Sequence, residues 1–333
     1  MNHRIGVLGL HHDHVWGNLE ELQRTGRAEL VGAADPFNEL LERYRSQFPG
    51  NTYSCYESLL ENEDLTAVYI FGNNQVSEEL AVMACERGLH CMVEKPMAAT
   101  ADGAKRMLAA AEANQVRLMI NWPFVWWPQF RHAVAMAMAG EIGKLWQVRY
   151  RAAHQGPVEL GCSKYFCDWL YDRELNGAGA LMDYCCYGAV LCQLLLGTPE
   201  KVTGVGLNTG LKPDLPLEDN AILLLQYPDA LGTTEASWTQ IGNLTSYQTT
   251  LYGSGATVHV EPNHGGRVLL ATPDQPDGVP LEIPPQPDHL ATASSHFLEL
   301  IDNPTLEYYP LCDPTYCCDS QAILQRGIDA CGI

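Results

Sequence analysis

The segment Glu94-Lys95-Pro96 follows a short apolar run, His90–Val93. A lysine at the end of a buried strand can hydrogen-bond a substrate oxygen and shift a proton, with Glu94 available to orient it. A solvated surface pair is the competing reading of the same residues. A second constellation opens the chain: Gly6-Val7-Leu8-Gly9-Leu10-His11-His12-Asp13-His14. A strand, a tight glycine loop and a helix N-terminus make a phosphate cradle, because glycine lets the backbone approach the anion and the helix dipole favours its charge. Gly9 fits the first glycine of that device, while His11 and His14 stand where the second and third would fall. Asp35 follows the second strand at the distance where a carboxylate accepts bonds from a ribose 2′-OH and repels a 2′-phosphate. That favours NAD over NADP; capping of the next helix is the alternative duty. His11, His12 and His14 also carry imidazole nitrogens able to hold a metal. No carboxylate or cysteine beyond Asp13 lies at ligand spacing, so no metal site is expected and the histidines are placed in the wall of a pocket.

The elements that must position these groups alternate. Strand signals at Arg4–Gly9, Ala28–Ala34, Ala67–Phe71, His90–Val93 and Val116–Ile120 are separated by helical patterns at Val15–Thr25, Pro36–Gln47, Val76–Arg87 and Thr100–Asn114. Gly88 stops the third helix and Thr100 is a candidate N-cap for the fourth. Repeated apolar β-α units predict a parallel sheet covered on both faces, a Rossmann-type α/β domain over residues 1–121. After Asn121 the pattern changes. An aromatic run, Trp122–Trp127, precedes a helix at Gln129–Ala139 and a strand at Leu145–Ala153. Gly179–Leu196 reads as one apolar helix. Val202–Leu207, Ala221–Gln226, Thr233–Trp238, Tyr247–Tyr252 and Thr257–Val260 read as strands joined by turns. Residues 122–333 therefore form a second, α+β domain with an open, mostly antiparallel sheet. Its last helices lie near His289–Ile301 and Thr315–Ala330, and the C-terminal one can pack back on the first domain.

The 333 residues carry a net charge of -20. An acidic surface repels phosphate backbones and anionic lipid, so neither nucleic acid nor membrane is an expected partner. No run approaches the roughly 18 apolar residues of a bilayer span, and the first residues lack a secretory layout. Twelve cysteines include no Cys-x-x-Cys pair and two vicinal pairs, Cys185-Cys186 and Cys317-Cys318. They read as buried free thiols in a reducing cytoplasm.

The chain resembles the glucose–fructose oxidoreductase/inositol dehydrogenase (Gfo/Idh/MocA) family. The resemblance rests on the N-terminal strand and loop, Asp35, Val68–Pro96, Gly177-Ala178-Gly179-Ala180-Leu181-Met182-Asp183, Asp219-Asn220-Ala221 and Glu235-Ala236-Ser237-Trp238. It implies an NAD(P)-dependent oxidoreductase that moves a hydride between nicotinamide and a sugar-like or polyol hydroxyl or carbonyl, working as a homodimer or homotetramer. Lys95 matches the family's active-site lysine and Asp183 the acid at the start of the second-domain helix. Tyr187 stands where a histidine is usual. Residues four apart share a helix face, so Asp183 and Tyr187 are expected in one pocket, where the Lys95 ammonium would lower the tyrosine's ordinary pKa near 10. Cofactor contacts are implied for Gly9, His11, His12, Asp35, Gly72, Asn74, Glu94 and Lys95. The stretch Gly72-Asn73-Asn74-Gln75-Val76-Ser77 keeps only the asparagine of the usual Thr-Pro-Asn. Asn121, Trp122, His154, Tyr165 and Trp169 are candidate substrate contacts, with core packing as their other reading. Two further functions stay open: NAD-assisted elimination or glycoside cleavage without net redox, and a non-catalytic dinucleotide or sugar sensor.

Overall fold

A computed structural model describes residues 2–261 and 266–333. In the first half, β1 (His3–Leu8), α1 (Val15–Thr25), β2 (Ala28–Ala34), α2 (Asn38–Gln47), β3 (Asn51–Tyr53), α3 (Tyr56–Asn62), β4 (Ala67–Ile70), α4 (Asn74–Glu86), β5 (His90–Glu94), α5 (Ala101–Asn114) and β6 (Leu118–Asn121) alternate. The strands form one sheet in the order β3-β2-β1-β4-β5-β6, every pair parallel. This is the doubly wound dinucleotide-binding order, whose crevice opens at the carboxyl edge between β1 and β4. Apart from the edge strand β3, its strands are buried over most of their length, as their apolar runs require. Local chemistry sets the element ends. The Asn73 side chain caps α4 by accepting from Val76 N–H, and Thr100 caps α5 by accepting from Gly103 N–H. Gly88, at φ +75°, follows the end of α4.

In the second half come α6 (Pro128–Met138), β7 (Leu145–Ala153), α7 (Lys164–Leu170), α8 (Arg173–Asn176), a π turn at Leu181–Cys185, and α9 (Cys186–Leu196). They are followed by β8 (Lys201–Leu207), β9 (Asn220–Gln226), β10 (Leu231–Ser237), β11 (Gln248–Gly253), β12 (Thr257–Val260), β13 (Val268–Thr272) and β14 (Gln275–Pro280). These strands make a second sheet, β14-β13-β12-β11-β7-β10-β9-β8, antiparallel except for the β7–β10 pair. The expected single helix over Gly179–Leu196 is interrupted by the π turn. α9 lies on one face of the sheet, so closely that a Cβ on Gly188 would meet Thr234 Oγ1 at 2.3 Å. α10 (Ala293–Asp302) and α11 (Pro314–Cys331) complete the chain, α11 touching α5 as well as α9 and β8. Arg27 also bonds Asp302 and Glu299, tying α10 to the first sheet.

The expectation that no segment could span a bilayer is corrected at Arg173–Leu196, which is long and apolar enough by composition. Most of it is buried against the second sheet, the place of a core helix. Nine of the twelve cysteines are buried and all are free thiols.

Candidate active site

Lys95 leaves the carboxyl end of β5, where its N–H bonds the Asn121 carbonyl of β6. Its side chain crosses to the second domain and donates to Asp183 Oδ1 at 2.6 Å and to the Asp183 carbonyl at 3.2 Å. The Trp238 indole N–H fixes the other carboxylate oxygen at 3.1 Å. Both partners are buried. Burial alone would lower the lysine pKa and raise that of the acid. Burial is the largest single effect on each, but the partner's charge and hydrogen bond, added to smaller contributions from neighbouring groups, outweigh it, so Lys95 ends above and Asp183 below its ordinary value. The pair is therefore ionised, and Lys95 is a held ammonium rather than a free base.

Aromatic rings surround that ammonium. Its nitrogen lies 5.1 Å from the Tyr187 ring centre and 5.8 Å from that of Tyr184, within cation–π range. Tyr187 stacks on Tyr150 and meets Trp122 and Phe124 edge-on. Its hydroxyl has no hydrogen-bond partner among the described residues, and burial pushes its pKa well up. Tyr184, next to Asp183 in the π turn, shares a 2.7 Å hydroxyl–hydroxyl bond with Tyr247. His154, just past β7, packs its ring edge on Tyr184. Its Nδ1 accepts from Gly156 N–H at 2.8 Å, which leaves the proton on Nε2. Burial lowers its pKa to about 4, so the ring is a neutral donor at ordinary pH.

The glycine loop shows how histidines stand in for glycines. Gly9 has φ +86°, and a Cβ there would lie 2.6 Å from the Gly72 nitrogen, so the loops after β1 and β4 nearly touch. The His11 ring bridges them: Nδ1 meets Asp35 Oδ2 at 2.9 Å, and Nε2 accepts from Asn73 N–H at 2.9 Å. Asp35 also accepts from Leu10 N–H and Phe37 N–H. It is fully buried, and its carboxylate braces the loop from behind. The helix-capping alternative is not realised: Phe37 is the N-cap residue of α2, no side chain caps the helix, and Asp35 reaches only the Phe37 N–H before it. Asn74 donates to Asn176 Oδ1 and O, fastening α4 to the end of α8.

A segment of the second domain roofs this loop. Asp13 accepts from Ser163 N–H and Oγ–H, both at 2.6 Å, and the Trp169 indole donates to the His11 carbonyl. His12 packs against Phe166 and Trp169, and burial holds its pKa well below the usual imidazole value. Two pockets flank the roof. One, of roughly 460 Å³, is walled by Phe37, Tyr56, Val76, Tyr165 and His11, with Asp168 and Asp172 at its side. The other, of roughly 480 Å³, is lined by His14, Asn18, Glu21, Asn121, Trp126 and Trp127. Here Glu94 Oε1 meets His14 Nδ1 at 3.0 Å and Oε2 accepts from Asn121 at 2.8 Å.

The structure thus gathers Lys95, Asp183, Tyr187 and His154 at one centre. Gly9, His11, His12, Asp35, Gly72 and Asn74 lie around the loop, and Glu94 and Asn121 beside the second pocket. Tyr165 and Trp169 line the first pocket. Trp122 is a core residue whose indole donates to Cys317 Sγ. Sequence reasoning passed over Tyr184, Tyr247, Asp13 and Ser163. Trp238 appeared only within a matching motif. Tyr247 carries a positive φ of 54°, which its sequence context does not signal.

Two family models match the chain. Residues 4–122 match the oxidoreductase family with an NAD-binding Rossmann fold, and residues 130–259 match the GFO/IDH/MocA C-terminal domain. Among curated relatives, dTDP-3,4-didehydro-2,6-dideoxy-alpha-D-glucose 3-reductase of Actinomadura kijaniata is 29% identical over 66% of this chain and 64% of its own length. The D-xylose 1-dehydrogenase (NADP(+)) 2 of Haloferax volcanii is 31% identical over 47% of this chain and 46% of its own. The chain thus spans less than two thirds of either relative. The aldose-aldose oxidoreductase of Caulobacter crescentus, solved with glycerol, superposes over 100% of this chain and 98% of its own, with a TM-score of 0.83 and 21% identity. Domain by domain, in order and over most of its length, the chain belongs to the Gfo/Idh/MocA family of oxidoreductases.

Proposed function

We propose that the protein transfers a hydride between a nicotinamide dinucleotide and a sugar-like or polyol hydroxyl or carbonyl. The observation that carries this reading is the buried Lys95–Asp183 pair at the carboxyl edge of the parallel sheet, walled by the Tyr184 and Tyr187 rings with His154 packed on Tyr184.

The residues present suit a dinucleotide at both ends of the crevice. The pocket between Phe37, Tyr56, Val76 and Tyr165 offers apolar and aromatic faces to an adenine. Among the described residues no lysine or arginine lines it, and Asp168 and Asp172 do. Lys164 pairs with Asp168, which leaves the Asp172 carboxylate to oppose a 2′-phosphate there, and this supports NAD over NADP. At the other end Glu94 would hold the nicotinamide side, with Lys95 beside it facing the reacting oxygen, where the bound cofactor supplies or takes the hydride.

The chain's own residues do the rest. The Lys95 ammonium, kept charged and aimed by Asp183, hydrogen-bonds the reacting oxygen and stabilises negative charge as it develops there. The Tyr187 hydroxyl, left without a protein partner, exchanges the proton with that oxygen; burial keeps it in its neutral form, which corrects the expectation that Lys95 would lower its pKa. His154 donates Nε2–H to an adjacent hydroxyl, and the aromatic walls pack the sugar's C–H face. Lys95→Ala is expected to lower kcat at least a hundredfold on a polyol panel while the dinucleotide Kd, read by fluorescence titration, moves less than threefold. Full activity in that variant sinks the mechanism.

A second copy of the chain is the partner we assign to the outer face of the second sheet. Trp146, Val205, Leu207, Ile222, Leu224 and Leu231 are exposed there on adjacent strands. So broad an apolar patch on a monomer would be unusual, and a homodimer or homotetramer covers it.

A further inference from the structure

We propose that His12, His14 and Glu94 form a binding site for one divalent first-row transition-metal ion. Each offers one ligand atom, and the three atoms lie within 4.8 Å of one another. The expectation of no metal rested on finding no carboxylate or cysteine beyond Asp13 at ligand spacing from the histidines in sequence. The fold supplies one from a distant element, since Glu94 ends β5, 80 residues on from His14. Two imidazoles and one carboxylate suit zinc, iron, manganese or cobalt better than calcium or magnesium, which prefer all-oxygen shells.

The surroundings are those of a metal centre. The second oxygen of Glu94 accepts from Asn121 Nδ2, and Asn121 is itself held by Trp126 Nε1–H at 2.8 Å, so the ligand is oriented by an outer layer. Phe166 and Trp169 close the His12 side. The His14 side opens on the 480 Å³ pocket, leaving room for water or a substrate oxygen in the open coordination positions. Little has to be given up. The His12 ring holds only a long 3.3 Å contact, from His14 N–H to Nδ1, among the described residues. The His14–Glu94 contact is replaced by an ion that both residues share. Ligand atoms about 2.0–2.2 Å from one ion must draw in from their present spacing, which side-chain rotation allows for the half-exposed His14. Lys95, whose charge is felt at His12, is paired with Asp183.

The test uses the full chain freed of metal by chelator dialysis. Cobalt(II) titration, read by visible ligand-field absorption and by calorimetry, is expected to saturate at one ion per chain, with zinc displacing it. His14→Ala and Glu94→Gln should each weaken binding at least tenfold. Asn121→Ala, which removes only the outer layer, should weaken it by about 10–100-fold. Melting curves establish that each variant is folded, and Glu94→Gln keeps the side chain's size. Absence of saturable binding, or unchanged affinity in folded His14→Ala and Glu94→Gln, overturns the site. Neither dinucleotide nor substrate enters the measurement, so its outcome is separate from that of the hydride-transfer reading.

Discussion

Asp183→Asn is the most informative single change. It keeps the shape of the side chain and removes its charge, leaving Lys95 buried without a counter-ion. Both side chains are almost fully out of water, at 3% and 9% exposure, so solvent screening does little for the lone charge. Removing one partner of such a pair costs about 3–5 kcal/mol. At roughly 2–4 °C per kcal/mol for domains of this size, the melting temperature falls by about 10 °C. The pH dependence identifies the cause. In the wild type the Lys95 pKa is raised, so its contribution is complete below the unfolded value of 10.5 and is lost only as pH rises through the still higher folded value. Asp183 is lowered, so its contribution is complete above 3.8 and is lost as pH falls through the folded value. Between those limits the pair adds a constant. In Asp183→Asn, burial instead pushes the Lys95 pKa below 10.5, and the unfolded chain then binds the extra proton. The deficit against wild type should widen from pH 10 to pH 7, read as melting temperature or denaturant midpoint in matched buffers. A loss under about 2 °C at pH 7, or a deficit that does not change with pH, refutes the buried-charge argument. The double variant Lys95→Met/Asp183→Leu should be more stable than Asp183→Asn, because no unpaired charge remains.

His154 gives the opposite pH signature. With a folded pKa of about 4 against 6.5 unfolded, its contribution is complete above 6.5 and is lost as pH falls toward 4, on the order of 3 kcal/mol in all. His154→Gln should flatten that acid limb of the stability curve. If the slope between pH 6.5 and 4 is unchanged, the neutral, buried imidazole is wrong. For the apolar sheet face, light scattering should give a mass of two or four chains, and Leu224→Lys with Ile222→Lys should lower it. A monomeric wild type refutes that assignment.

Much of the first domain was legible because each apolar strand announced itself and each helix carried an end signal, as at Gly88 and Thr100. The edge strand β3 and helix α3 were not. Three residues, Asn51–Tyr53, hold no period, and α3 has only Leu59 fully buried. β14 escaped notice because Pro276, Gly278 and Pro280 read as loop, which an edge strand tolerates. Of the site, the lysine and the acid could be named, but the carboxylate facing His14 could not. That contact depends on β5 and α1 meeting at the sheet edge. The helical spacing of Asp183 and Tyr187 also assumed a regular helix. The π turn makes Tyr184, the very next residue, the one whose hydroxyl meets Tyr247.

The carboxylates of the crevice share a pattern. Asp35 is held by the loop, Glu94 by His14 and Asn121, Asp13 by Ser163, and Asp183 by Lys95 and Trp238. Two of these four, Asp13 and Asp183, join the parallel-sheet half to the second half. Both halves must be in place before the Lys95 ammonium is paired and aimed, so assembly of the site and docking of the two halves are one event. Asp183→Asn should then loosen the docking as well as unbalance the charge. Hydrogen exchange should rise at the Asp13–Ser163 contact, on the far side of the loop. Faster exchange confined to residues around Asp183 would instead make the two contacts independent, and the roof over the loop would owe nothing to the ion pair.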